Sequence, residues 1–530
     1  MVLFLAACTS PPDSGPLGGD SARDSSGRDS AWETGLDSAG DSADSAGDSA
    51  ADSGADTGGL PDPIAEADVV VIGAGGSGLA TGVAAMQAGA SVIILEREAN
   101  HGGASVHAGN FFACGTHWQA DGGVTDSAEL CLSEWDDFTG GDATAAAVQD
   151  FVNESAATLE WLAAFGGDFT LATQVAPETG TVPRIHLPAE GLELPVNLLG
   201  EYAMDNIRTS ATATGLVRED GRVIGVDIGP GSDGGGQTGW IRAGAVVVAT
   251  GGFGRNDVRV AENVPGIDNF PTFYEATPGM DGNGLDLVEA MGGALANMDD
   301  VGLYAHAAAD AQLGAPEVMV ISNLDRTLVV DATGKRVADE REFMTSIMGS
   351  RYIDEGPYYA IYDDTGWGVL QLSGRGFNYP DGVDMVLDGP TYESLVPVPV
   401  GDTAADLATA AGFDSPTFEA ALSLYNEAAA SGVDTEFGKP EDYLQRIRTG
   451  PFRAIGIVLG RSKSFGGAAL DDEGRVIDEF GNTIPGLYAA GEAAGFLGGT
   501  WIGHGFNGTI TAVYWSGRRA GSTAAADLGY

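Results

Sequence analysis

The chain has 530 residues, 43% of them hydrophobic, and a formal net charge of −51. Its length excludes a single small module and allows two or more domains around a large core. Its charge excludes nucleic acid and anionic lipid headgroups as electrostatic partners: 25 Lys and Arg stand against 76 Asp and Glu, and Lys occurs only at Lys335, Lys439 and Lys463.

Met1 to Ala7 is a short apolar run ahead of Cys8 in L-A-A-C. The stretch resembles the lipobox of a bacterial lipoprotein, which implies a diacylated Cys8 at the mature N-terminus, although the basic n-region of a signal peptide is missing. Residues 1–8 are therefore expected to be a lipoprotein signal and Cys8 a lipid anchor. Residues 9–63 are a Ser/Asp/Gly/Ala tract with loose D-S-A-G and D-S-A-D repeats. Such a tract buries too little apolar surface to order itself, and its charges repel and extend it. It is expected to be a disordered acidic tether that holds the folded part off a membrane. Thr9 is not the Asp that retains lipoproteins on the inner membrane. The expected location is thus the outer membrane, facing periplasm or cell exterior.

The folded part opens with an apolar run, Val69 to Ile72, which reads as a buried parallel strand. It leads into Gly73, Gly75 and Gly78, then into a small-residue helix from Leu79 to Ala88 that Gly89 stops. Ser91 to Leu95 is a second strand and Glu96 ends it. Strand, G-x-G-x-x-G, helix, strand and terminal acid together form a dinucleotide-binding βαβ unit. The first Gly permits the tight turn, the second lets a diphosphate approach the backbone, and the third lets helix and strand pack closely. N–H groups at the helix start hold the diphosphate, and Glu96 takes both ribose hydroxyls. By itself this unit admits NAD or FAD.

Later segments suit a flavin. Gly102-Gly103-Ala104-Ser105 and Gly109 offer backbone that can lie against a flat ring. Thr209–Val217 and Gly221–Ile228 read as a hairpin. Ala245–Thr250 is another buried strand, ending in Gly251-Gly252-Phe253-Gly254. Near the end, I-P-G-L-Y-A-A-G-E delivers Gly491 and Glu492, and a helix is expected from about Asn507 to Ala526. Beyond Cys8 the only cysteines are Cys114 and Cys131, either a disulfide or two buried thiols. There is no C-x-x-C-H for haem, no cysteine pattern for an iron–sulfur cluster or zinc, and no expected metal. No later apolar run is long enough to span a bilayer.

The motifs G-A-G-G-S-G, I-L-E, G-G-A-S, V-V-V-A-T-G-G-F-G, G-K-R-V-A-D-E (Gly334 to Glu340) and G-L-Y-A-A-G-E span nearly all of the chain after the tether. With them the chain resembles the flavoprotein superfamily of fumarate reductases, succinate dehydrogenase flavoprotein subunits and 3-ketosteroid dehydrogenases. The resemblance implies an α/β fold: a Rossmann-like FAD-binding domain over residues 64–302 and 464–530, with an α+β substrate cap inserted at 303–463. It implies noncovalent FAD, since His107 is out of register with the family's covalent attachment site. It also implies cofactor contacts from Gly73, Gly75, Gly78, Glu96, Gly103, Ser105, Ala108, Gly109, Ala213, Thr250, Gly251, Gly491 and Glu492. The last helix, from Asn507, Thr509 and Ile510, points its positive end at the flavin.

The chain departs from the family where the chemistry lies. Dicarboxylate reductases use a cap Arg as proton donor and a second Arg to clamp a carboxylate. Here the donor position falls near Met344, with Arg341 out of register, and G-G-T-W-I-G-H-G-F-N-G-T-I (Gly498 to Ile510) has no Arg. The Tyr that ketosteroid dehydrogenases carry in this loop is missing too, and Tyr352, Tyr358 and Tyr359 match no register. His504 is the acid/base candidate, beside Trp501; His306 and Lys463 fall near the reductases' substrate histidines. The expected function is hydride transfer between flavin and a C–C or C=C bond next to a carbonyl or carboxylate. The substrate is a small molecule, and an external donor or acceptor exchanges the electrons. Amine or alcohol oxidation on the same scaffold is the alternative, as is a flavin-holding surface protein that has lost its chemistry.

Overall fold

The computed structural model describes residues 60–139, 146–172, 180–269, 272–274, 277–308, 318–321, 323–341, 356–374, 385–495 and 509–530. Cys8, the tether up to residue 59, Met344, Tyr352, Trp501, His504 and Asn507 lie outside them. Pro63–Tyr530 forms one unit.

The first sheet is built on β1 (Ala65–Ile72), whose Val69, Val70 and Val71 are fully buried. A strand covered on both faces carries a continuous apolar run. The strand is longer than that run because Ala65 to Ala67 also pair, with Ile241 to Ala243 of strand Gly239–Val248. Helix α1 (Gly76–Ala88) begins three residues before the apolar pattern suggests, since extended Gly75 caps it, and Gly89 ends it in the left-handed region at φ 106°. β2 (Val92–Leu95) returns parallel to β1. Sheet order runs Arg475–Ile477, Thr483–Ala489, Gly239–Val248, β1, β2, Ile207–Arg208, with the hairpin Ala211–Glu219/Arg222–Pro230 attached to Gly239–Val248.

Register decides where the site lies. Ile72 is opposite Leu95 and Val248, and Val248 is opposite Ala489. Parallel strands in step end together, so Gly73, Gly251 and Gly491 leave the same sheet edge, where open α/β sheets bind ligands.

A second sheet of nine strands draws on residues 272–464. Its spine is the long strand Phe452–Ser464, paired antiparallel with Val301–Ala308 and Tyr358–Tyr362 and parallel with Thr272–Tyr274. Behind it lies a buried ion cluster: Arg336 donates to Glu340 and Asp434, and Lys439 donates to Glu340 (2.9 Å) and the Tyr425 hydroxyl. Among the described residues no helix is long and apolar enough to cross a membrane.

The terminal helix, Thr509–Asp527, packs on α1 through small residues. A Cβ on Gly517 would meet the Ser77 carbonyl at 2.3 Å, and one on Gly521 the Thr81 carbonyl at 2.1 Å. Close approach of the two backbones brings both helix starts to the glycine edge of the first sheet.

Candidate functional site

Three glycines of the first loop have three different reasons to be glycine. Gly73 has φ 102°, and a Cβ there would meet the Ala249 carbonyl oxygen at 2.4 Å. A Cβ on Gly78 would lie 1.8 Å from the Gly73 carbonyl oxygen. Gly75 is different: a Cβ there would meet only the Gly102 carbonyl oxygen at 3.9 Å, so it borders open space in front of α1. The first N–H groups of a helix have no carbonyl within it to bond. Of these, Gly76 donates to Ser105 Oγ at 3.0 Å.

Glu96 is buried at the end of β2. Its Oε2 accepts from Ala74 N (2.9 Å) and its Oε1 from Glu98 N (3.0 Å). The carboxylate therefore braces the glycine loop, and its remaining lone pairs are those a ribose would use. Gly103, Ser105 and His107 share the 3-10 turn Gly103–His107 beside this loop, joined to it through a bridge between Gly75 and Gly102. Ala108 follows the turn, and Leu192 packs on Gly109. Ala213 lies in strand Ala211–Glu219. Thr250 turns its hydroxyl toward Gly284, whose missing side chain leaves it room.

Gly251 and Gly252 bring the second loop to a cavity lined by Ser464, Phe465, Gly491, Glu492, Thr509 and Val513. A Cβ on Gly252 would meet Ser464 Oγ at 2.1 Å and Glu492 Oε2 at 3.0 Å. Gly491, with φ 67°, donates its N–H to Ser516 Oγ at 3.0 Å and lies against Ser77. Glu492 keeps some solvent access through the cavity, but its Oε2 is buried and accepts no hydrogen bond from the described residues. Desolvation pushes its carboxyl up to about 7, against the opposing pull of Lys463 and a hydrogen bond from the Ser464 backbone.

Lys463 comes beside this cavity, next to Thr509 of its lining, because of a bulge. Val301 pairs with Ser464 and Gly302 with Lys463, but Leu303 pairs with Arg461, leaving Ser462 extra. One extra residue reverses the alternation of side chains along a strand. Arg461 turns to Asp257 and the Tyr274 ring, while Lys463 joins the face that carries Tyr304 and His306. Its Nζ donates to Thr509 Oγ1 at 3.1 Å, over the rings of Phe465 (5.4 Å) and Tyr304 (5.9 Å). His306 is buried two positions from Tyr304. Thr509 and Ile510 start the terminal helix.

Other sequence candidates fall away from the cavity. Arg341 is paired with Asp339 at 2.6 Å, and Tyr358 is buried in the apolar core of the second sheet. Cys114 and Cys131 are bonded to each other, which decides between disulfide and free thiols. Sequence reasoning missed Ser464, which accepts from Phe253 N at 3.0 Å, and Ser516. The segment K-S-F-G-G was the one available sign of Ser464; nothing marked Ser516, because its partner Gly491 is distant in sequence.

The FAD binding domain family matches residues 68–507. The fumarate reductase (cytochrome) of Shewanella frigidimarina is 28% identical over 481 residues, 87% of this chain and 78% of the relative. The urocanate reductase of Eggerthella lenta is 28% identical over 488 residues, 87% of this chain and 75% of the relative. A 3-ketosteroid-delta4-(5alpha)-dehydrogenase from Rhodococcus jostii shares the fold with a TM-score of 0.67 at 23% identity, covering 88% and 98% of the two chains. The residues present fit FAD: open space before Gly75 at a helix start, a carboxylate at the end of β2, and the unpartnered Glu492 Oε2 facing the cavity. FAD is the cofactor. Among the described residues no group of His, Cys, Asp and Glu is placed to hold a metal ion.

Proposed function

The chain belongs to the FAD binding domain family, and from that premise we propose that it moves a hydrogen pair across a C–C bond next to a carbonyl or carboxylate. The observation that carries this reading is that Lys463, bonded to Thr509, stands beside the cavity that Glu492 lines, where the second sheet reaches the glycine edge of the first. Bound FAD supplies hydride exchange with a substrate carbon. Gly73, Gly75 and Gly78 hold its diphosphate, Glu96 its ribose, and Glu492 its ribityl chain. The ammonium of Lys463 and the polar face of Tyr304 and His306 orient the substrate oxygen, and the second sheet keeps water from the reacting carbons. His504 handles the proton at the neighbouring carbon. An external donor or acceptor exchanges the electrons.

Relatives named for fumarate, urocanate and vinyl phenol favour an unsaturated acid or a conjugated aromatic as substrate. The test is photoreduction of purified holoenzyme followed by mixing with enoates, aryl alkenes and enones. Reoxidation by at least one of these, matched by saturated product, is expected. A reduced flavin that none of them reoxidises, and an oxidised flavin that none of the saturated counterparts reduces, would overturn the proposal. His504→Ala is expected to lower turnover about 100-fold or more with FAD retained. Cys8 anchors the chain to a membrane through acyl chains, in keeping with L-A-A-C. Cys8→Ser is expected to move the protein from the detergent phase to the aqueous phase on partitioning.

A further inference from the structure

We propose that Lys463 sets the reduction potential of the bound cofactor: its ammonium stabilises the negative charge that FAD gains on reduction. This rests on the FAD reading of the cradle and goes beyond substrate handling. The bulge at Ser462 is what carries Lys463 to Thr509, at the cavity's wall; regular alternation would send it to the side of Arg461. There its Nζ lies 3.1 Å from Thr509 Oγ1, on the first residue of a 19-residue helix. A helix start carries about half a positive charge, and proteins commonly place acids in that turn. Here the first turn holds no acid and a lysine is added. Among the described residues Lys463 forms no ion pair, although acids outnumber cations threefold in this chain. The one acid among the described lining residues, Glu492, is held toward its neutral form by burial. Two positive ends therefore stand at the cavity, one in its wall and one beside it, without a full negative charge among the described residues to match them. Such an arrangement costs stability unless the ligand provides the charge, and reduced flavin does.

The experiment compares wild-type, Lys463→Met and Lys463→Arg holoenzymes without substrate. FAD content is read by absorbance, and the potential by equilibration with a redox dye. At a fixed dye poise, Lys463→Met is expected to shift the reduced-to-oxidised ratio about tenfold or more toward oxidised, which is about 30 mV for a two-electron couple. Lys463→Arg is expected to restore the wild-type ratio. Full FAD content in Lys463→Met with an unchanged potential would overturn the proposal. If Lys463→Met does not retain FAD, Lys463→Gln, which can still donate to Thr509, replaces it under the same criterion. A wild-type protein that binds no FAD refutes the cradle reading itself, a separate and visible failure.

Discussion

Two carboxyl groups, Glu340 buried behind the second sheet and Glu492 partly buried at the glycine edge, show how this chain treats charge. Glu340 is fully buried and every neighbour answers it: Arg336 donates to both of its oxygens and Lys439 adds a third bond. Glu492 has Lys463 nearby, yet among the described residues its Oε2 has no hydrogen bond, and its carboxyl is pushed up to about 7. A buried carboxylate is costly unless paired. Where the chain meets that requirement with its own residues, the group is structural. Where it does not, the group lines a cavity and is left to a ligand, the part we propose for the cofactor.

Breaking the paired side is expected to have the largest effect. Glu340→Ala leaves Lys439 without a carboxylate and Arg336 with Asp434 and the half-exposed Glu436, and is expected to destabilise the fold by about 3–5 kcal/mol in denaturant unfolding. At the glycine edge, Gly78→Ala places a methyl against the Gly73 carbonyl. FAD affinity is expected to fall about 100-fold, or about 3 kcal/mol, by equilibrium titration.

Glu492 gives a pH signature. Its carboxyl stays protonated in the fold up to about 7, whereas the unfolded chain ionises near 4.5. Over that window the unfolded state loses its proton first, so stability of FAD-stripped protein falls as pH rises and levels off above about 7. Glu492→Gln is expected to remove that slope and to stabilise the stripped protein at neutral pH by ~2 kcal/mol, while weakening FAD binding. A variant with an unaltered slope would remove Glu492 from this role. The smallest expected effect is that of Ser105→Ala, which deprives Gly76 N of its acceptor and is expected to cost about 1 kcal/mol in FAD affinity.

Much of the cofactor side was legible from local pattern. A buried strand, a glycine turn and a small-residue helix are each dictated by residues within a few positions. The βαβ unit from β1 to β2 accordingly stands close to where its residues imply, with shifts of a few positions at its ends. The α/β class followed from such segments, whereas FAD rather than NAD followed only once Gly251-Gly252 and Gly491-Glu492 were joined to the unit through the family resemblance. Neighbours distant in sequence were not legible. Ser464 reaches Phe253, and Ser516 reaches Gly491, through sheet register and helix packing that no local pattern encodes.

What the sequence determined alone is the glycine loop: the positive φ of Gly73 and the close approach of Gly78 to the Gly73 carbonyl are properties of residues a few positions apart. What only the tertiary structure decided is which side chains face the cavity. A single extra residue, Ser462, turns Lys463 away from Arg461 and toward Thr509 and Glu492. That reversal depends on how Phe452–Ser464 pairs with Val301–Ala308, and strand pairing is a relation between distant segments.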